Sequence, residues 1–392
     1  MADLGGYRQD MTDDDSPLRV VIAGGGVGAL ELLLALRHMA DERVDLTLVS
    51  ADTELRYRPA SVAVPFGRGE LYHYPLADIA DAAAARLVHA TARAVDTSEQ
   101  RLFTDAGAVD YDVLAIATGA TRGAVMDGAI AFRGDQDIAA IEQLLADIGS
   151  ADVKHVVFAI PRGASWTLPL YELALLTAHH VAEQGILGVS VDLVTPEEHP
   201  LAQFGGPVSE AVAQLLREHR VTLHTATYPV ALSGQELDVL PHGVIPADRV
   251  ICIPPACGTA VPGLPSNAQG FLAVDEVGRV IGADDLYAVG DVTTYPIKQG
   301  GIAAQQADVA AQSIAARAGA PVGQPAPFHP SLHGLLITGG EPRYLFAELG
   351  GGQGETATAS TEPLWWPGGK VAARYLGPYL AQAPHEVVRS GQ

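Results

Sequence analysis

Residues 18–36 read LRVVIAGGGVGALELLLAL. A β-type run at 19–23 leads into glycines, and an apolar helix pattern follows from Leu30 to His38. Gly24, Gly26 and Ala29 fit G-x-G-x-x-G/A, in the strand–turn–helix order that a dinucleotide phosphate loop needs. Gly24 permits the tight turn, Gly26 lets the backbone approach a pyrophosphate, and small Ala29 lets helix and strand pack. With Val27 and Gly28 this segment forms the expected phosphate cradle, the helix N-terminus offering free N–H groups to the anion. A second strand pattern, VDLTLVS, spans 44–50. An acidic residue near its end is expected to hold ribose hydroxyls; Ala51 fills the obvious slot, so Asp52 and Glu54 are the candidates.

The 392 residues are too many for one ordinary core and imply two or three domains. A formal charge of −22 argues against nucleic acid as a partner, because phosphate is repelled. The first seventeen residues, acidic and without an apolar core, read as a disordered leader and not as a signal peptide. No run of eighteen apolar residues predicts a membrane-spanning helix. Cys252 and Cys257 do not make a secreted disulfide framework, so the cytoplasm is the expected compartment. No histidine spacing suggests a metal site.

Two later segments extend the first motif. Residues 110–120, DYDVLAIATGA, end a strand pattern at Thr118-Gly119, and 285–291, DLYAVGD, end another at Gly290-Asp291. Both are apolar runs closed by glycine, as buried parallel strands are. With these pieces in this order, residues 18 to about 318 resemble the FAD-dependent pyridine nucleotide–disulfide oxidoreductases. The resemblance implies that Gly24 and Gly26 hold the FAD pyrophosphate and that Asp291 bonds the ribityl or pyrophosphate region. Alone, Asp291 would pass for a turn or helix-cap residue. The resemblance also implies that the helix opening at Gly300-Gly301 aims its N-terminus at the flavin, where a positive dipole end stabilises negative charge. Lys298 sits just before that end and would add a full charge; otherwise it is a solvated loop lysine. Ala92 completes the candidate cofactor contacts.

The segment at 54–67, ELRYRPASVAVPFG, resembles that of sulfide:quinone reductases and type II NADH dehydrogenases, where an aromatic-x-Pro element, here Tyr57-Arg58-Pro59, passes the flavin. Residues 155–173, HVVFAIPRGASWTLPLYEL, open like a second nucleotide fold. Ile160-Pro161, Gly163-Ala164-Ser165, Pro169 and Tyr171-Glu172 resemble the sulfide:quinone reductase pattern, which places a reactive cysteine after Gly-Ala-Ser. Here that residue is Trp166, and indole is no sulfur nucleophile. The three-glycine fingerprint is missing too, and Pro161 lacks the N–H a phosphate would use. The second fold therefore reads as a wall over the flavin. Arg162 could still bind a phosphate, and Glu197-Glu198 after the strand pattern at 189–195 could meet a ribose, although a solvated acidic turn explains the pair as well. Cys252 and Cys257 have Cys-x4-Cys spacing outside the position of a flavin-linked dithiol; a buried thiol and a loop thiol account for them. Gln305 and Gln306 could face a carbonyl acceptor or lie on the helix surface.

Past about residue 325 the pattern changes. Residues 328–349 alternate around a Gly339-Gly340 hairpin signal, and 350–363 read as a mobile polar loop. Residues 364–382, with Trp365, Trp366, Lys370 and Arg374, read as an amphipathic cap: a lid, a dimer contact or an interfacial anchor.

The expectation is an α/β protein with two Rossmann-like, three-layer ββα domains, the second inserted in the first, and a C-terminal α+β cap. The FAD domain spans 18–120 and 250–325, the degenerate NAD(P)-like domain 121–249, and the cap 326–392. The expected activity is two-electron transfer through FAD between a small-molecule donor and acceptor, a quinone among the candidates. Lys298, Pro59 and Trp166 are the candidate residues at the reacting face. Two alternatives stay open: an NAD(P)H-dependent flavin oxidoreductase, and a non-catalytic FAD module that senses redox state or binds a partner. A homodimer and peripheral contact with the inner face of a membrane fit the same pattern.

Overall fold

A computed structural model describes residues 16–241, 243–350 and 353–388. The expected leader lies outside the described residues as far as residue 15. Strand β1 (Leu18–Ala23) leads through a three-residue turn into helix α1 (Val27–Ala40), and β2 (Val44–Ser50) follows. With β3 (Arg86–His89) and β4 (Val113–Ile116) they form a parallel sheet, in the order Leu286–Ala288, β4, β1, β2, β3.

The period-two alternation of a strand divides this sheet between two layers. Val20 and Ile22 face α1 and a later helix, whereas Val21 and Ala23 face a three-stranded antiparallel sheet carrying Val95, Leu102 and Val109. The result is the three-layer arrangement. Leu30, Leu32, Leu33 and Leu36 of α1 are fully buried, each contributing about 1.5–3 kcal/mol of transfer free energy.

A second parallel sheet contains β5 (His155–Ala159), β6 (Ser190–Val194), β7 (Val221–His224) and β8 (Arg249–Cys252), with Ile130–Ala131 at its edge. Between β5 and β6 runs helix α2 (Leu168–Glu183). One face packs on α2 through Val156 and Phe158; the other meets an antiparallel layer through Val157 and Ala159. The sheet continues through Cys252, past the expected boundary at 249, because β8 is hydrogen-bonded to β5 along its whole length.

The chain then returns to the first sheet and enters α3 (Gly300–Arg317). Its alanines, Ala307, Ala310 and Ala311, are fully buried and let it lie close against α1. The cap is an antiparallel sheet of β9 (Ser331–Leu336), β10 (Arg343–Gly350) and β11 (Gln353–Ser360), followed by helix α4 (Leu376–Gln382). The mobile loop expected over 350–363 is largely strand β11, paired with β10. Threonine alternates there with Ala357 and Ala359, which pack on the core, so a polar-looking run still has strand chemistry. No helix among the described residues is long and apolar enough to cross a membrane.

Candidate active site

A cavity of about 410 Å³ opens where the two parallel sheets and the cap meet. Its floor is the first glycine turn. Gly24 has φ +141°, and a Cβ there would lie 2.2 Å from the carbonyl oxygen of Ala117, so only glycine fits. A Cβ on Gly26 would meet nothing within 4 Å; that face is open to the cavity. Gly28 brings α1 against Val289 and Ala303, where a Cβ would sit 3.3 and 3.5 Å away. No side chain caps the N-terminus of α1 and no acidic residue occupies its first turn, so its N–H groups remain for an anion. Val27 borders the same space.

Around this floor stand most of the other candidates. Asp52 is more than half exposed and 3.4 Å from Arg56, while Glu54 lies 2.9 Å from His73 Nδ1. Of the two, Asp52 has the freer carboxylate. Thr118 shares a 3.2 Å hydrogen bond with Thr259, which also donates to the carbonyl of Gly119. Gly290, at φ +78°, donates its N–H to Gln306 Oε1 at 2.7 Å, which sets the turn that presents Asp291. Burial pushes the Asp291 carboxyl up, opposed by Arg122, Lys298 and Arg58. Pro59 and Gly300 also line the cavity.

Three candidates sit differently from expectation. Ala92 begins the antiparallel layer and does not border the cavity. Gly301 is also off the wall; its would-be Cβ faces the side chain of Gln299, which caps α3 by accepting the Ile302 N–H at 2.8 Å. Lys298 lines the cavity, but its ammonium donates to the Thr293 carbonyl and lies 4.2 Å over the Phe271 ring. It is neither a solvated loop lysine nor a free cation. Burial lowers its pKa to about 8 against the pull of Asp291.

The second glycine-poor turn differs from the first in length. Residues 160–167 separate β5 from α2, eight residues where the first domain uses three. The longer path carries Trp166 to the cavity wall, its ring 5.9 Å from Phe204. Arg162 leans over Tyr228, 6.0 Å from its ring centroid, and does not line the cavity. Glu197 is not a solvated turn residue. It accepts Tyr171 Oη at 2.7 Å and Thr195 Oγ1 at 2.8 Å, and burial raises its pKa. Both bonds fall on Oε2 and hold the carboxylate inward.

Neither glutamine lines the cavity. Gln306 fixes the Gly290 turn, and Gln305 bridges the Gly301 and Ser331 carbonyls. Cys252 is buried in the second domain's antiparallel-facing core, where burial pushes its thiol up to about 12. Cys257 is exposed, and both thiols are free.

The cap was expected as a lid among other readings, but not the contacts through which it shares in the site. Lys370 reaches into the cavity and bonds Glu172 of α2. Glu172 is 1% exposed and also accepts the Ile337 N–H at 2.9 Å. Burial raises the Glu172 pKa and lowers that of Lys370, each opposed by the other's charge. Tyr57 Oη accepts the Val371 N–H at 3.0 Å, and Val371 packs against Gly300. On the far side of α1, buried Glu31 accepts three N–H groups, from Arg374, Tyr375 and Leu376, at 2.6, 2.9 and 2.6 Å. The signal for Glu172 and Glu31 was a lone acid inside a wholly apolar helix run. Such an acid needs a partner.

A sequence model of the pyridine nucleotide-disulphide oxidoreductases matches residues 18–313. The chain belongs to this family. It is a flavin-dependent oxidoreductase, and FAD is its cofactor. The open face at Gly26 and the uncapped N-terminus of α1 fit FAD's pyrophosphate. When bound, the flavin supplies two-electron transfer. No protein of curated function matches the sequence. Solved structures show the same fold. The sulfide:quinone oxidoreductase of Aquifex aeolicus superposes with a TM-score of 0.77 at 21% identity, covering 88% of this chain and 86% of that one. NDH2 of Plasmodium falciparum, solved with NADH, gives 0.67 at 13% identity, covering 88% and 92%. A ferredoxin reductase of Rhodopseudomonas palustris gives 0.63 at 18%, covering 85% and 83%.

Proposed function

We propose that this pyridine nucleotide-disulphide oxidoreductase takes two electrons from a small donor other than NAD(P)H and passes them through FAD to a small acceptor. Gly26 and the α1 N-terminus hold the pyrophosphate, Asp52 the ribose, and Asp291 the ribityl region. The N-terminus of α3 stabilises negative charge on the flavin. Lys298 adds a positive field from its place beside the Gly290 turn.

One observation carries the donor assignment. The turn that would cradle a nicotinamide nucleotide's pyrophosphate is an eight-residue detour ending in Trp166, and the adjacent acid, Glu197, is bonded to Tyr171 and Thr195. Arg162, the residue that could rescue phosphate binding, points at Tyr228. A cysteine-persulfide route has no thiol at the wall, since Cys252 is in a core and Cys257 on the surface. The acceptor we favour is a quinone, which would meet a wall that includes Lys370 held by Glu172. Trp366, 74% exposed beside Leu364, would be the edge resting on a membrane or partner.

The test is equilibrium binding of NADH and NADPH to the oxidised, FAD-loaded protein, followed by quenching of Trp166 fluorescence. No saturation up to millimolar nucleotide is expected. Saturable quenching that Trp166→Phe removes would overturn the assignment.

A further inference from the structure

His333 borders the flavin cavity on strand β9. Its neighbours Leu332 and Leu336 face the core and are fully buried, so the alternation of the strand turns His333 to the opposite face, with its register partner Phe346. The ring stands edge-on between Phe346 and Trp365, with centroids 5.1 and 5.2 Å away. Trp365 is itself fixed by its 2.9 Å Nε1 bond to the Gly369 carbonyl. The backbone is fixed too: Gln299, the cap of α3, donates to the His333 carbonyl at 3.0 Å. Yet Nδ1 is buried with no hydrogen-bond partner. The aromatic contacts hold the ring at the cavity wall, and no hydrogen bond of Nδ1 does.

We propose that His333 is the catalytic base of this cavity, taking the proton released when a hydroxyl- or thiol-bearing donor is oxidised. The inference rests on the flavin-site assignment above. The apolar clamp keeps the imidazole neutral near pH 7, since burial lowers its pKa and only the Ser331 carbonyl opposes. Charged neighbours do not intervene. Lys370 of the cap and Glu172 of α2 neutralise each other, and the Tyr344 hydroxyl donates to the Gly368 carbonyl. Gln299 and Gln305, from the start of α3, are uncharged. The neutral ring carries its proton on one nitrogen and keeps a lone pair on the other for the donor.

The step balances. A hydroquinone going to its quinone, or a dithiol to its cyclic disulfide, loses two electrons and two protons. The electron pair and one proton pass to FAD; the second proton goes to the unprotonated ring nitrogen of His333 and then to water. No cysteine of this chain takes part.

Anaerobic stopped-flow reduction of the FAD-loaded protein tests this, with menadiol as the hydroquinone probe, dithiothreitol as the dithiol probe and dithionite as control. In the wild type the rate should rise with pH through an ionisation below the ordinary histidine value of 6.5, then level off. His333→Gln should slow reduction about 100-fold and flatten the profile, while dithionite reduction and the flavin spectrum stay unchanged. His333→Asn serves as the second variant if the first is misfolded. Loss with menadiol alone identifies a hydroxyl donor, and loss with dithiothreitol alone a thiol donor. A variant within threefold of wild type with the same pH profile overturns the proposal, as does failure of both probes to reduce the wild type. Reduction by NADH would overturn the donor assignment instead, and leaves these arms intact. Independently, the labelled-histidine NMR resonance lost in His333→Gln should titrate below 6.5; titration above it contradicts the neutral base.

Discussion

Lys370→Met should destabilise the protein through Glu172, and the loss should grow with pH. Glu172 is 1% exposed and the Lys370 side chain 9%, so the pair is removed from water. Without the ammonium, one N–H, from Ile337, remains to stabilise a buried carboxylate. Breaking a buried pair in this way costs about 3–5 kcal/mol. At about 2–4 °C per kcal/mol for units of 150–250 residues, the thermal midpoint should fall by roughly 6–20 °C. The sign of the pH effect follows from burial, which already raises the Glu172 pKa and which Lys370 offsets. In the variant the folded pKa rises further above its unfolded value. Folding then takes up a proton, so stability is greatest in acid and is lost as pH rises towards the folded pKa. The gap from wild type should be smaller at pH 5 than at pH 8. Adding Glu172→Gln should recover most of it, because the stranded charge is gone. Thermal unfolding followed by tryptophan fluorescence, with Trp365 and Trp366 in the cap, measures all three variants. A loss under about 1 kcal/mol, or a pH-independent loss that Glu172→Gln does not rescue, would refute the reasoning.

Other consequences are as direct. Gly26→Val should fold with an unchanged far-UV spectrum but purify without yellow FAD, since its side chain fills the open cradle; full flavin occupancy would contradict the site. Glu31→Gln should loosen the cap at α4. Losing the charge weakens three N–H bonds, so amide exchange at 374–376 should quicken about 10- to 100-fold, read by hydrogen-exchange mass spectrometry. Arg162→Ala should leave flavin reduction by every donor unchanged in stopped-flow assays, because that guanidinium faces Tyr228 and not the cavity.

The first domain was legible because its constraints are local. A glycine at φ +141° against Ala117 and an apolar helix after it are written in consecutive residues. The Gly290-Asp291 turn was legible as a pattern, but its clamp, Gln306 sixteen residues on, was not: a glutamine in an alanine-rich helix carries no mark of its partner. Trp166 stood out by its place after Gly-Ala-Ser, and the structure adds the eight-residue path that brings it to the wall. Glu197 was misjudged because a Pro-Glu-Glu run looks solvated; Tyr171, twenty-six residues earlier, turns it inward. Strand β11 was missed because threonine and alanine in alternation resemble a polar linker until β10 is beside them. His333 was hidden, and Lys370 legible only as part of a cap, for one reason. Both come from the cap, and only tertiary packing carries them to a cavity built by residues 18–300.

The central claim is that the second dinucleotide fold is a wall and not a nicotinamide site. Anaerobic titration of the FAD-loaded protein with NADH and then NADPH, following the flavin absorption band, tests it most directly. The band should persist through both additions and disappear with dithionite. Stoichiometric bleaching by either nucleotide would contradict the account and make the path around Trp166 an entrance.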